Sequence, residues 1–323
     1  SWGYPNGPMG DVPGKPLLRA GDAPPGAAVV EVEHPAAGRY FFYAEEGARL
    51  LFTENETNHE RLHSGMNASP FVKDAFHRFL VEGDEAAINP AHVGTKAAAH
   101  SLHELAPGAS VTVRLRLTRG IVPVPFGEAF DAIFQARRAE ADEFYACVQN
   151  PALSEDERNV QRQALAGMLW TKQLYYYDVS QWLDGDPAQP PPARRDDRNR
   201  SWIHLHNFDV ISMPDKWEYP WYATWDLAFH CLPLAQVDPD FAKRQLLLFT
   251  REWYMNPSGA LPAYEWSFDH VNPPVHAWAT WRVYEMDRQQ SGRPDRAFLE
   301  EVFHKMVINF TWWVNRKDYD ENN

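Results

Sequence analysis

The sequence predicts an α+β protein of more than one domain, in which a β-rich first part precedes a helical second part. The first 120 residues contain short runs of β-branched and aromatic residues between Gly- and Pro-rich turns. Past residue 128, apolar residues recur at helical spacing. With 323 residues, 44% of them hydrophobic, the chain is large enough for about two domains. This order predicts an antiparallel β-sandwich followed by a helical barrel or bundle.

Four runs carry the β prediction for residues 1–120. They are AAVVEVEH (27–34), RYFFYAE (39–45), RLLFTEN (49–55) and SVTVRLRLTRG (110–120). In the last run Val111, Val113, Leu115 and Leu117 share one face, which predicts a half-buried antiparallel strand with that face inward. No helical crossover separates the runs, so a sandwich is favoured over a parallel sheet.

Helical periodicity governs the rest of the chain. Residues 121–150 predict a linker helix, and residues 151–323 predict the first part of a helical barrel. Ser154, followed by acidic residues, is a helix start, and the helical interpretation extends from there through residue 183. The Pro-rich, charged stretch 185–200 predicts an exposed loop. Further helices are expected over about 221–236, 239–255, 273–290 and 295–315.

The stretch MPDKWEYPWYATWDLAFH (213–230) sets one carboxylate, Asp226, among aromatic residues. The rings that surround it in sequence are Trp217, Trp221, Trp225 and Phe229. A carboxyl group among apolar rings loses solvation of its charged form, so its pKa rises and it can serve as a general acid. Aromatic faces also stack on pyranose rings. The same pattern fits a Trp-rich core helix, and that alternative stays open at this point.

Charge and composition exclude several functions. The net charge of -13 argues against a nucleic-acid partner, which would require clustered Lys and Arg. No apolar run approaches the length of about 18 residues that spans a bilayer, and no signal peptide is visible, so a cytoplasmic protein without a membrane partner is expected. Cys147 and Cys231 are expected to be buried free thiols.

A metal site is the weaker interpretation of the histidines. Asp226 and His230 share a helical face, and His204 and His206 could join them. No spacing typical of zinc ligands accompanies these residues, so no metal and no cofactor are expected.

The long string from HNFDVIS through ATWRVY (206–284) resembles the catalytic half of glycoside hydrolase family 63-like proteins, relatives of mannosylglycerate hydrolase and of the glucosidase that trims mannosyl-oligosaccharides. LFTENETN and NPAHVGTKAAAH extend the resemblance into the first half. The resemblance implies an N-terminal β-sandwich, an (α/α)6 barrel that is incomplete here, inverting chemistry and no metal.

By the same resemblance, Asp226 matches the general acid of the family. GALPAYEW (259–266) matches a loop that lines the pocket, and NPPVHAWATW (272–281) matches a helix whose start faces the substrate. The expected substrate-binding residues are Trp217, Tyr219, Trp221, Trp225, Tyr264, Glu265 and Trp266. The general base of the family is a Glu nearer the C-terminus, whose motif is not found here. Glu265 and Asp269 are the alternative candidates for the base.

The predicted function is therefore an inverting α-glucosidase or α-mannosidase that acts on a small glycoside or oligosaccharide. A sugar-binding module without catalysis and an inverting glycoside phosphorylase remain as alternatives. Neither end of the sequence resembles a natural terminus, so the chain is expected to be a fragment that lacks the base. The C-terminal remainder of the same protein is then an expected partner.

Overall fold

The computed structural model describes residues 14–185 and 198–317. The chain forms two compact units, one up to Ala141 and one from Asp142. Antiparallel sheet dominates the first unit and helices dominate the second, as predicted. Most of the Pro-rich stretch predicted as a loop, residues 186–197, lies outside the described residues, as do the chain ends at 1–13 and 318–323.

The strands of the N-terminal unit pair in two antiparallel sheets. One has the order β5-β1-β2-β3-β7, and the other joins β4 to β6. The strands are β1 (Leu17–Ala20), β2 (Ala27–His34), β3 (Gly38–Glu45), β4 (Arg49–Thr53), β5 (Val93–Gly94), β6 (Lys96–His100) and β7 (Leu115–Thr118). The strand predictions for 27–34 and 39–45 are confirmed, and the prediction for 49–55 is confirmed for Arg49–Thr53.

Hydrophobic residues fill the inner faces of these strands. Val29 and Tyr43 are opposite each other across β2 and β3, and both are almost fully buried. They form one cluster with Ala27 and Phe41. Leu51 of β4 belongs to a second cluster. In β2 and β3 the residues of the first cluster recur at every second position, so they share one inward face of that sheet.

The prediction for the strand at 110–120 is wrong in its orientation. Only Leu115–Thr118 forms a strand, and Val111, Val113, Leu115 and Leu117 are between 45% and 63% exposed. The opposite face of this segment, which carries Arg114 and Arg116, makes the contacts with the rest of the unit. Arg114 Nε donates a 2.7 Å hydrogen bond to Glu45 Oε1, and Arg116 Nη1 donates to the Pro125 carbonyl. Arginine stems can cover apolar surface while their guanidinium groups bind polar partners, which the binary pattern does not predict.

The helices follow the predicted order with shorter bounds. They are α1 (His59–His63), α2 (Ala75–His77), α3 (Glu128–Val148), α4 (Glu155–Trp170), α5 (Val179–Asp184), α6 (Thr224–Leu234), α7 (Pro239–Leu248), α8 (His276–Ser291) and α9 (Arg296–Trp312). Short helical turns occur at Arg78–Glu82, Glu85–Ala87, Arg200–Trp202 and Trp313–Lys317. The helix start at Ser154 is confirmed, because its hydroxyl and Glu157 form a capping box.

The prediction of a continuous helix from Ser154 to residue 183 is wrong for residues 172–178. Residues Lys172–Asp178 form strand β8, which pairs antiparallel with β9 (His206–Ser212) from Lys172↔Ser212 to Asp178↔His206. Burial in β8 alternates with the two-residue period of a strand, so that Gln173 and Tyr175 are buried while Leu174 is exposed. The aromatic run therefore follows its β propensity, and α4 ends at Trp170.

The core of the C-terminal unit forms around α6. This helix contacts α7 and α8, and α8 contacts α9. Leu227, Ala228, Cys231 and Leu234 of α6 have no exposed surface. The thiol prediction is correct for Cys231, whereas Cys147 is exposed. Among the described residues, no helix is both long and apolar enough to cross a membrane.

Candidate active site

Asp226 lies in the first turn of α6, where its side chain is half-buried. Burial raises the pKa of the Asp226 carboxyl above its usual range, and hydrogen bonding from its own amide and from Trp225 offsets part of that rise. The main cause is thus loss of solvation rather than a neighbouring charge. A carboxyl group in this state can hold a proton closer to neutrality than an exposed aspartate, as a general acid must.

His230 follows Asp226 by one turn and has a structural partner. Its Nδ1 atom lies 2.9 Å from the hydroxyl of Ser212, which lies 2.6 Å from the hydroxyl of Thr171. Burial lowers the pKa of His230, which favours the neutral imidazole. His230 therefore connects α6 to the end of β9.

His204 and His206, the other histidines considered as metal ligands, also interact with neighbouring side chains. His206 Nδ1 lies 2.9 Å from Asp178 Oδ2, and the ring of His204 stacks on Trp202. Across 14–185 and 198–317, His, Cys, Asp and Glu side chains form no group of three or more that could hold a metal ion.

The loop that precedes α8 binds the start of α6. Thr224 N–H donates to the Ala263 carbonyl at 3.2 Å, and its hydroxyl donates to the Pro262 carbonyl. Ala223 and Tyr264 also form an isolated antiparallel bridge. The two segments that carry the predicted site, 213–230 and 259–266, therefore meet at the residues just before Asp226.

Glu265 approaches the start of α6 from this loop. Its Oε2 atom accepts a 3.2 Å hydrogen bond from the Tyr222 amide, four residues before Asp226. Burial raises the pKa of Glu265, while its own amide, the Tyr222 amide and the charge of Arg198 lower it in part. Two carboxyl groups with raised pKa thus belong to adjacent segments, and such perturbed groups are concentrated at functional sites.

A buried asparagine fixes the turn that carries Glu265. Asn199 donates a 2.6 Å hydrogen bond to the Glu265 carbonyl and accepts a 2.9 Å hydrogen bond from the Phe268 amide. Asn199 is 4% exposed and has a φ of 66°, a left-handed conformation that asparagine tolerates better than most residues. The turn from Tyr264 to Ser267 is closed by its own backbone hydrogen bond of 3.0 Å.

Aromatic rings and one guanidinium group surround this turn. The guanidinium of Arg198 lies 4.0 Å from the ring centroid of Trp266 and 5.2 Å from that of Trp182. Trp266 is 53% exposed. An indole with exposed surface and a hydrogen-bond donor beside it can stack on a pyranose ring while the donor binds a hydroxyl.

The remaining aromatic candidates differ in their exposure. Trp217 and Tyr219 are exposed, at 82% and 52%, on the loop before α6. Trp221 is half-buried, and its indole N–H donates a 2.5 Å hydrogen bond to the Pro214 carbonyl. Trp225 is 37% exposed, and the ring of Tyr264 lies 5.6 Å from that of His270. The structure thus brings Tyr264, Glu265 and Trp266 to the start of α6, while it leaves Trp217 and Tyr219 open to solvent.

Asp269, the second carboxylate considered as a base, anchors the loop. Its Oδ1 atom accepts a 2.7 Å hydrogen bond from the Trp202 indole, and both carboxylate oxygens accept from the Ser201 hydroxyl at 3.1 to 3.2 Å. These donors hold the carboxylate in place, which favours a structural role.

A cleft opens beside Trp225, at the point where the starts of α6 and α8 meet. Its walls are formed by Thr224, Trp225, Leu261, His270, Val271, Asn272, Pro273, Pro274, Val275, His276, Asn309, Trp312 and Trp313. His276 is 2% exposed, and burial lowers its pKa to about 4, so the imidazole is neutral. The cleft thus combines indole rings with neutral polar side chains.

Sequence reasoning missed Trp182, Arg198 and Asn199 as residues of this region, and it included Asn272 only as the first residue of the matched segment 272–281. Asn199 and Glu265 are 66 positions apart, and Asn272 and Trp225 are 47 apart. No local pattern marks such contacts. The one available signal is the Asn-Pro-Pro sequence at 272–274, because a residue before proline has restricted backbone angles.

Two comparisons with known proteins bear on this region. Residues 219–322 match the domain family described as mannosylglycerate hydrolase MGH1-like glycoside hydrolase. The chain is also similar to the uncharacterized protein YMR196W of Saccharomyces cerevisiae, with 50% identity over 288 residues. This alignment covers 85% of the chain and 26% of the yeast protein, so the chain spans about a quarter of the length of this relative.

The matched range contains Asp226, the turn at Tyr264 to Ser267 and Asn272. It begins at the loop before α6 and extends beyond α9. The resemblance predicted from the sequence is therefore confirmed. The match supports a glycoside hydrolase family 63-like relative, in which residues 219–322 are similar to the MGH1-like glycoside hydrolase domain.

Proposed function

We propose that this chain provides the proton donor and part of the sugar-binding surface of an inverting glycoside hydrolase that acts on an α-linked glucoside or mannoside. The half-buried carboxyl of Asp226, with its pKa raised by burial, carries this proposal. It protonates the glycosidic oxygen as the bond to the anomeric carbon breaks. A second carboxylate activates water on the opposite face of the sugar ring, about 6.5 to 9.5 Å away in inverting glycosidases.

Glu265 is assigned to substrate binding instead of to the base. One of its oxygens already accepts the Tyr222 amide, and burial raises its pKa, which favours the protonated form. A general base must be ionised to accept a proton. Within 14–185 and 198–317 we assign no residue as the general base.

The sugar-binding role rests on the rings around the two carboxyl groups. Trp266 with Arg198 forms one platform, and Trp225 forms the wall of the cleft beside α8. Trp221 and Tyr264 are half-buried, while Trp217 and Tyr219 are available from the exposed loop. The expected substrate is a small neutral glycoside, and the proposed architecture is an N-terminal β-sandwich followed in the chain by part of an (α/α)6 barrel.

The test uses the full-length protein and aryl α-glucosides and α-mannosides with good and poor leaving groups. Asp226→Asn is expected to lower kcat by about 10² to 10⁴ for poor leaving groups. It should lower kcat much less for good leaving groups, which depart without a proton. Glu218→Gln, which removes an exposed carboxylate from the loop before α6, is the matched control and should keep wild-type activity.

Four results would contradict the proposal. The wild-type protein could hydrolyse none of these glycosides, or Asp226→Asn could lose activity equally for good and poor leaving groups. A product with retained anomeric configuration in proton NMR would contradict the inverting mechanism, and a sugar phosphate formed only with added phosphate would indicate phosphorolysis.

A further inference from the structure

The start of α6 lacks a cap from its own sequence. Its N-cap position is Ala223, which has extended backbone angles and no side chain able to accept a hydrogen bond. By contrast, α1, α4, α5, α7 and α9 begin at Asn58, Ser154, Asp178, Asp238 and Asp295, whose side chains each accept a backbone amide. The first amides of a helix have no partner within the helix, so those of α6 need acceptors from elsewhere.

Asn272 provides one of these acceptors. Its Oδ1 atom accepts the Trp225 amide at 3.3 Å, although the two residues are 47 positions apart. Because Pro273 follows Asn272, the backbone of Asn272 is restricted to extended angles, and Pro273 itself has a fixed φ. The asparagine is thus held in a defined direction by the residues that lead into α8.

We propose that Asn272 is a positioning residue for Asp226, acting as a cap for α6 that the loop before α8 supplies. Asp226 directly follows Trp225, so Asn272 binds the backbone N–H of the residue immediately before the acid. This inference rests on the proposed role of Asp226 as the proton donor.

The position of Asn272 makes this role specific. Thr224, Trp225, Asn272 and His276 line the same cleft, so the cap lies where the starts of α6 and α8 face a common space. Asn272 thereby connects α6, which carries Asp226, to the segment that leads into α8 on the other side of the cleft. Since a displacement of about 1 Å in a reacting group can cost 10²-fold in rate, loss of this connection should affect proton transfer.

The experiment compares Asn272→Ala and Asn272→Asp in the full-length protein. Asn272→Ala should lower kcat by about 10- to 100-fold for substrates with poor leaving groups, because the donor is misplaced. The loss should be several times smaller for good leaving groups, and KM should change little. Asn272→Asp keeps an acceptor that is favourable at a helix start, and it should retain most of the activity.

Two matched measurements separate positioning from general destabilisation. Asn159→Ala removes an exposed asparagine from α4 and should leave all kinetic constants unchanged. Hydrogen exchange of the Trp225 amide should be faster in Asn272→Ala than in the wild type and in Asn272→Asp. Asn272→Ser, whose hydroxyl is too short to reach the amide, serves as the second variant if Asn272→Ala does not fold, with the same expected leaving-group dependence.

Equal losses for good and poor leaving groups, unchanged activity in Asn272→Ala, or equal impairment of Asn272→Asp would overturn the proposal. Its failure differs from failure of the proposed function. If the wild type hydrolyses no glycoside, the assignment of Asp226 falls while amide exchange still tests the cap. If Asp226→Asn behaves as expected and Asn272→Ala is fully active, only the positioning role falls.

Discussion

Glu31 of the N-terminal unit and the two candidate-site carboxyl groups of the C-terminal unit are held in opposite ways. In the N-terminal unit, hydrogen bonds from Arg19 and Arg39 hold the pKa of Glu31 below its usual range, at distances of 2.9 and 3.1 Å. In the C-terminal unit, burial raises the pKa of both Asp226 and Glu265. A carboxylate paired with arginine stays ionised and binds its partner, whereas a desolvated carboxyl retains its proton more readily.

Unpaired buried polar atoms follow the same division. Among the described residues, the buried side-chain nitrogen and oxygen atoms without a hydrogen-bond partner in the protein all belong to the C-terminal unit. Asn207 is the clearest case, since neither its oxygen nor its nitrogen is paired and the residue has no exposed surface. Natural proteins keep few such groups, and they tolerate them chiefly near functional sites.

Under the proposed function the C-terminal unit carries the chemistry, so Glu31 is a paired structural carboxylate and Asp226 and Glu265 are desolvated ones. In the N-terminal unit, Arg19 of β1 and Arg39 of β3 pair with Glu31 of β2. These ion pairs connect neighbouring strands while the carboxylate stays ionised. In the C-terminal unit, Asp226 and Glu265 are partly removed from water. Residues distant in sequence, Asn272 and Asn199, bind the segments that carry them. Perturbed carboxyl groups of the second kind are the ones expected to take part in proton transfer.

The largest expected effect is at Asn199, the residue that holds the turn carrying Glu265. Asn199→Ala leaves the Phe268 amide and the Glu265 carbonyl without their partner, and it places alanine at a φ of 66°. We expect a loss of about 2 to 4 kcal/mol in the free energy of unfolding. Urea denaturation followed by tryptophan fluorescence measures it.

Asn199→Gly is the matched variant, because glycine adopts the positive φ without strain. It should recover about 1 kcal/mol of the loss, the part due to strain. Equal stability of the wild type and both variants would show that the turn is held by other contacts and would weaken the contrast between the units.

A smaller effect distinguishes the two kinds of carboxylate by pH. The pKa of Glu31 is lowered in the folded state, so its stabilising contribution is present above the ordinary glutamate range and is lost as pH falls through the lowered value. The pKa of Glu265 is raised, so ionisation costs stability as pH rises from the ordinary range through the raised value.

Glu31→Gln and Glu265→Gln therefore make a matched pair. The stability advantage of the wild type over Glu31→Gln should shrink on acidification. The stability of the wild type relative to Glu265→Gln should decrease as pH rises toward neutrality. Thermal unfolding between pH 3 and pH 7 measures both differences in stability. If both differences changed in the same direction with pH, the contrast between the two kinds of carboxylate would be contradicted.

The sequence predicted the parts of this arrangement that depend on local patterns. The helix around Asp226 and the start of α4 at Ser154 were correct because periodicity and capping are local. The hairpin of β8 and β9 was missed because the run KQLYYYD also fits the end of a helix, and its strand partner lies about thirty residues further along the chain. The cap from Asn272 and the clamp from Asn199 depend on contacts between distant residues, which a single sequence does not reveal.

The most direct test of the account is the pKa of Asp226 itself. It can be measured by carboxyl carbon-13 NMR in the folded full-length protein, with the resonance assigned through Asp226→Asn. We predict that Asp226 titrates above the usual range of aspartate, because burial disfavours its charged form, while Glu31 in the same sample titrates below the usual range of glutamate. If Asp226 titrates within or below its usual range, its carboxyl is solvated or paired, and its assignment as the proton donor is contradicted.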